Sequence, residues 1–209
     1  MMLTWSPTSP FVRKVWACTI YAGVVGQVEN RRMSTLDPAL PGMNPLAKIP
    51  TMLLDDGQIL IDSRTICEYL DSLHSRPRLF PDEPSARWRA LSDQALADGI
   101  SESAVLLYVE GTRPLSRQWR GQVEKQLGKI TRTLGHFDKN VETLAERIDI
   151  GTMSIACAIG YAGLRIASYE VDWRFQYPRL EAWYNDFVRH EFMVRTLPVP
   201  PPNPIPADE

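Results

Sequence analysis

Three hydroxyl side chains lie together just ahead of the first helical pattern of the chain. Ser6, Thr8 and Ser9 precede Pro10, and proline is favoured at the first position of a helix. A serine before such a proline is a good N-cap, because its oxygen accepts a hydrogen bond from the first turn. A hydroxyl accepts and donates at once, so it can also donate to a bound anion. The pattern therefore predicts a capped helix, with stabilisation of an anion as the chemical alternative.

Asp62 and Ser63 mark a second helix start. Both residue types are good N-caps. The backbone N–H groups at a helix N-terminus also point outward, and the helix dipole favours an anion there. From these residues alone, capping is the simpler interpretation and anion binding is the functional one.

Cysteine and histidine are sparse. Cys18, Cys67 and Cys157 are far apart and form no C-x-x-C pair, and the three histidines are widely separated. We therefore expect neither a disulfide framework nor a metal site. A reducing cytoplasm is the expected compartment. Cys18 lies at helical spacing after Pro10 and is predicted to be a core residue.

The composition is that of an ordinary globular protein. Of the 209 residues, 44% are hydrophobic and 23% are charged, and the formal net charge is −2. This balance gives no reason to expect nucleic acid or a membrane surface as a partner. The N-terminal residues lack the pattern of a signal peptide. We expect no segment that approaches the roughly 20 apolar residues needed to span a bilayer.

The first 76 residues alternate strand and helix patterns. Two apolar runs around Asp55-Asp56-Gly57 predict a β-hairpin, since Asp-Gly favours a tight turn. Together the patterns predict a small α/β unit. Its expected elements are a strand at 2–5, a helix from Pro10, a strand at 28–33, a loop at 37–45, the hairpin of 51–54 and 58–61, and a helix from Asp62.

After a proline-rich linker at 77–84, the patterns become entirely helical. Apolar residues recur every three or four positions over 116–145, which is typical of an amphipathic bundle helix. The near-continuous apolar run 150–169 predicts a central buried helix. The chain thus divides into 1–76, the linker and an all-helical part at 85–209. Its expected helices cover 85–109, 116–145, 150–169 and 178–190, with an extended proline-rich tail from Pro198.

Four segments in this order resemble the cytosolic glutathione S-transferases, and in particular bacterial members with a serine-type N-terminal motif. The segments are SPTSPFVRKV at 6–15, NPLAKIP at 44–50, LIDSRTICEYL at 60–70 and IDIGT at 148–152. The resemblance implies an α/β thioredoxin-like N-terminal domain with the order βαβαββα, followed by an all-α helical bundle. It also implies a homodimer.

The resemblance assigns glutathione-binding roles to five residues. It makes the Ile49–Pro50 bond a cis peptide whose residue 49 offers its backbone groups to glutathione, whereas the residues alone favour an ordinary trans proline. Ser63 is expected to bind the γ-glutamyl carboxylate and Asp62 the ammonium group. Lys48 either contacts the glycyl carboxylate or is simply solvated.

The resemblance also places the reactive thiol of glutathione beside Ser9, with Thr8 and Ser6 as alternatives. The hydroxyl would stabilise a thiolate that attacks a hydrophobic electrophile, by conjugation, peroxide reduction or isomerisation. The absence of a cysteine from this loop argues against exchange through a protein thiol. A non-catalytic glutathione-binding protein of the same fold remains the alternative.

Several other residues have expected places in the family fold. Arg13 is expected to tie the first helix into its domain. Asp149 and Thr152 are expected to form a capping box at the start of the buried helix. The electrophile pocket is expected between Ser9 and the helical part, with three aromatic residues as candidates for its lining: Tyr108, Trp119 and Phe175.

Overall fold

A four-stranded mixed sheet forms the first half of the fold in the computed structural model, which describes residues 1–197. The strand order is β2-β1-β3-β4. Strands β1 and β2 are parallel, and β3 runs antiparallel to both β1 and β4. The strands are β1 (Met2–Trp5), β2 (Glu29–Arg32), β3 (Thr51–Leu53) and β4 (Ile59–Ile61).

Helices cover the sheet of this half and connect its strands. A crossover between the parallel strands is required, and α1 (Pro10–Ala22) provides it. Helix α3 (Ser63–Ser72) packs beside α1 and buries Ile66 and Leu70 completely. The segment 37–45, expected to be a loop, contains the single-turn helix α2 (Leu40–Met43). The order βαβαββα confirms the predicted thioredoxin-like fold.

The second half of the described chain is helical, as predicted. Helix α5 (Arg120–Lys139) is shorter than the helix expected over 116–145, because it ends at Lys139 and the 3₁₀ turn Val141–Thr143 follows. The apolar pattern continues beyond this end because Leu144 is still buried. The helices are α4 (Pro84–Gly111), α5 (Arg120–Lys139), α6 (Ile150–Ile166), α7 (Trp173–Gln176), α8 (Pro178–Phe187) and α9 (Glu191–Val194).

Helix α6 is the central helix of this half. By length and hydropathy alone, the segment Ile150–Tyr169 is apolar enough to cross a membrane, contrary to the expectation from the sequence. Most of it is buried inside the protein, where α6 packs against α4, α1 and α8. It is therefore the buried core helix that the sequence predicts. The expected extended tail from Pro198 lies outside the described residues.

Candidate active site

The register of the sheet brings the three candidate segments to one end of it. Thr51 pairs with Ile61 of β4, and its N–H donates to Thr4 Oγ1 on β1 at 2.7 Å. These three residues form a row across β1, β3 and β4. The segments that continue beyond this row are 6–9, 49–50 and 62–63. Residues far apart in the chain are thereby brought together at one end of the sheet.

The first segment places Ser9 at the N-terminus of α1. The N–H of Val12 donates to Ser9 Oγ at 3.3 Å, so Ser9 caps the helix. The hydroxyls of Ser6 and Thr8 lie 3.3 Å apart in the same loop. Because Ser9 Oγ acts as an acceptor in the cap, its own hydrogen remains available to a bound group.

The second segment is held in place by Asn44. Its Nδ2 donates to the Lys48 carbonyl and to Thr51 Oγ1, each at 3.0 Å. The Ile49–Pro50 peptide bond is cis, and Pro50 is buried. Among residues 1–197, the N–H and C=O of Ile49 have no hydrogen-bonding partner. Lys48 is exposed beside them, so this segment presents both backbone groups and a cation.

The third segment begins α3. Asp62 has φ 70° and ψ 134°, a conformation that non-glycine residues rarely adopt. Its carboxylate accepts from the N–H of Arg64 at 3.0 Å and from Ser63 Oγ at 3.4 Å. Capping therefore occurs as the simpler interpretation predicts. These side-chain contacts help to hold Asp62 in its uncommon backbone conformation.

A buried ion-pair cluster behind these helix starts was not anticipated from the sequence. Asp98 of α4 accepts from Lys14 Nζ at 2.7 Å and from Arg64 Nε at 2.8 Å. Lys14 and Asp98 are almost fully buried, whereas the side chain of Arg64 is half exposed. The hydrogen bond that Arg64 donates to Asp98 raises the pKa of Arg64. The cluster connects α1 and α3 to the helical half.

Arg13, expected to tie the first helix into its own domain, lies instead against the helical half. Its side chain is buried against α6, where a β-carbon placed on Gly160 would lie 2.5 Å from Arg13 Nη1 and 2.9 Å from the Tyr184 hydroxyl. Glycine at position 160 therefore permits the close approach of these two side chains.

The three aromatic residues expected in the electrophile pocket lie in different surroundings. Tyr108 is half-buried, and its ring centroid is 4.0 Å from Arg165 Cζ. Trp119 and Phe175 are 68% and 86% exposed. The exposure of Trp119 and Phe175 gives no support to a pocket-lining role. Tyr108 packs against Arg165.

Comparison with known proteins identifies the family of this chain. Residues 8–73 match the family model "Glutathione S-transferase, N-terminal domain". The uncharacterized GST-like protein YibF from Escherichia coli strain K12 is 30% identical over 203 residues, which cover 95% of this chain and 98% of that protein. The chain belongs to the glutathione S-transferase family.

Two solved structures of glutathione transferase family members from Pseudomonas fluorescens Pf-5 share this fold. One, with bound glutathione, has a TM-score of 0.89 and 38% identity, and the match covers 95% of this chain and 98% of that chain. The other, with bound S-(propanoic acid)-glutathione, has a TM-score of 0.86 and 38% identity, covering 95% and 100%. These matches agree with the thioredoxin-like sheet and the helical half described above.

The cysteines of this family member lie away from the loop at 6–9. All three are buried free thiols, as predicted for Cys18. Burial raises the pKa of Cys18 well above its ordinary value and that of Cys157 to about 11. In the part of the chain that the structure describes, no cluster of His, Cys, Asp or Glu is suited to a metal ion.

Proposed function

We propose that this protein is a glutathione transferase that binds glutathione at the end of the sheet where segments 6–9, 49–50 and 62–63 meet. The observation that carries the proposal is the convergence of three binding elements there. They are a hydroxyl at a helix N-terminus, the N–H and C=O of Ile49 without a hydrogen-bonding partner among residues 1–197, and a second helix start. A relative of 38% identity with bound glutathione supports it.

Each part of the tripeptide has a proposed partner. The N–H and C=O of Ile49 pair with the glutathione cysteine as an added strand would. The Ser63 N–H and hydroxyl bind the γ-glutamyl carboxylate at the start of α3. Asp62 pairs with the ammonium group, and Lys48 with the glycyl carboxylate.

The reactive step is attack by the glutathione thiolate on a hydrophobic electrophile. A free thiol has a pKa of about 8.5, so it is mostly protonated at neutral pH. A hydrogen bond from Ser9 to the sulfur anion contributes roughly 1.5–3 kcal/mol, which corresponds to about one to two pKa units. The N-terminus of α1 adds up to about 1 kcal/mol. Thr8 and Ser6 are the alternative donors.

The whole protein is proposed to act as a cytoplasmic homodimer, in which 1–76 binds glutathione and 85–209 covers the electrophile. The S-(propanoic acid)-glutathione bound by a relative suggests that the cleft also accepts a substituent on sulfur. Conjugation, peroxide reduction and isomerisation all begin from the same thiolate.

Retention on immobilised glutathione followed by a chromogenic electrophile assay tests the proposal. We expect the protein to be retained, to elute with free glutathione, and to consume the electrophile faster than glutathione alone. Retention without turnover would favour the alternative, a non-catalytic glutathione-binding protein that acts through interactions. A failure to be retained at all would contradict both.

A further inference from the structure

Arg165 is a buried cation in α6 that has no carboxylate partner among the described residues. It is only 9% exposed. Its Cζ lies 4.0 Å from the ring centroid of Tyr108 on α4 and 4.9 Å from that of Tyr161 on α6. Its Nε is buried and has no hydrogen-bond acceptor within residues 1–197.

These contacts leave part of the Arg165 guanidinium without an acceptor. Contact with aromatic faces stabilises a guanidinium, and the Tyr161 hydroxyl also interacts with the guanidinium of Arg165, but neither tyrosine satisfies the buried Nε. Removing a charge from water without a counter-ion is costly. The planar guanidinium fork is suited to a carboxylate, which it can bind through two parallel hydrogen bonds.

The packing of α1 on α6 places Arg165 near the proposed reactive end of glutathione. The two helices are antiparallel, because Cys18 contacts Met153 while Arg13 lies against Gly160. Ser9 is four residues before Arg13, and Arg165 is five residues after Gly160. At 1.5 Å per residue these are displacements of about 6 Å and about 7.5 Å towards the same end.

Helix α4 leads to the same place. Asp98 is fixed to Lys14 of α1, and Tyr108 follows ten residues later, about 15 Å along the helix axis. Ser9 is five residues before Lys14, about 7.5 Å in the same direction. By these displacements Tyr108 lies beyond Ser9 as seen from the Asp98 cluster, and Arg165 lies about level with Ser9.

We propose that Arg165, flanked by Tyr108 and Tyr161, binds a carboxylate carried by the electrophilic substrate, so that the preferred substrates are electrophilic carboxylic acids. This inference rests on the proposed function. The carboxylate supplies the acceptors that the guanidinium lacks, and the two tyrosine rings hold the guanidinium in position.

Binding of two matched conjugates tests the proposal. S-(propanoic acid)-glutathione and neutral S-propylglutathione have nearly the same size and differ in the terminal carboxylate. By isothermal titration calorimetry we expect the intact protein to bind the acid at least about tenfold more tightly, as a charge-assisted pair should. Arg165→Met should bind both equally, and Arg165→Lys should retain part of the preference.

The controls separate this inference from the proposed function. Unsubstituted glutathione should bind the intact protein and Arg165→Met with the same affinity. Arg179→Met, which removes a surface arginine paired with Glu142, should keep the full preference for the acid. Thermal melting establishes that the variants are folded, and the intact protein alone is informative if Arg165→Met does not fold.

Two results overturn the inference while the proposed function survives. One is equal binding of the two conjugates by the intact protein, and the other is an undiminished preference in folded Arg165→Met. Loss of unsubstituted glutathione binding in folded Arg165→Met also contradicts it, because Arg165 would then contact glutathione itself. If the intact protein binds none of the three ligands, the proposed function fails and the inference fails with it.

Discussion

At the residue scale, the Ser9 hydroxyl accepts one hydrogen bond and is proposed to donate another. It accepts the N–H of Val12 as the cap of α1, and we propose that it donates to the glutathione sulfur. The two duties use different parts of the hydroxyl. Substitution of Ser9 therefore affects both helix stability and thiol ionisation, and a test has to distinguish them.

Ser9→Ala should lower turnover roughly tenfold or more while glutathione retention persists. Without the hydroxyl donor, the pKa of the bound thiol should rise. The pH at which turnover reaches half of its maximum should therefore be higher than in the intact protein. Turnover and thiolate absorbance are measured as functions of pH. Ser9→Thr, which keeps both cap and donor, is the matched control. Unchanged turnover in Ser9→Ala would transfer the role to Thr8 or Ser6.

At the scale of single elements, helix starts were the features most accessible from the sequence. The starts of α1, α3 and α6 are all marked by capping residues, and a cap acts only on its own first turn. The end of α5 was harder to predict, because the pattern of buried apolar residues continues past the helix to Leu144. The single-turn helices α7 and α9 are too short to show a period, so they were missed.

The capping box of α6 is present as predicted. Thr152 N–H donates to Asp149 Oδ1 at 3.0 Å, and Asp149 N–H donates to Thr152 Oγ1 at 3.1 Å. Asp149 also accepts from Arg147 Nε at 2.8 Å. Both hydrogen bonds of the reciprocal pairing are therefore formed.

Asp149→Ala should lower the melting temperature, because it removes the cap and leaves Arg147 with one carboxylate fewer. A lost cap costs about 0.5–2 kcal/mol, or about 1–8 °C for a chain of this size. Differential scanning calorimetry measures the change. Asp149→Ser restores the cap without the ion pair and should melt in between. If it melts as low as Asp149→Ala, the ion pair is the main stabilising contact.

At the scale of the whole molecule, the sequence predicted the two halves but not how they meet. Lys14 and Asp98 are 84 positions apart in the chain, and Tyr108 and Arg165 come from different helices. No local pattern predicts such pairs, because a single lysine in an apolar helix is usually interpreted as a side chain whose ammonium group is solvated. The family resemblance supplied Ile49–Pro50, which local patterns alone would have assigned as trans.

The proposed homodimer gives an expectation at this scale. Exposed apolar side chains lie on α4, including Leu96 and Leu106, and on the edge strand β4, including Ile59 and Ile61. Burying them against a second copy is favourable. Light scattering should give a mass of about twice 23.7 kDa.

Leu96→Glu should shift this mass towards one chain, because the dimer would have to bury the introduced charge. Leu115→Glu is the matched control, since Leu115 is 87% exposed in the loop before α5 and should leave the mass unchanged. A single-chain mass for the intact protein at micromolar concentration contradicts the expectation.

The sharing of Asp98 by Lys14 and Arg64 limits how the two halves can be exchanged between relatives. A chimera that joins residues 1–83 to the helices of another protein would enclose the Lys14 ammonium group between them. Unless the incoming helix carries an acid at the corresponding place, that charge is left without a counter-ion, at a cost of several kcal/mol. Such a chimera is therefore expected to lose stability unless its incoming helix supplies this buried carboxylate.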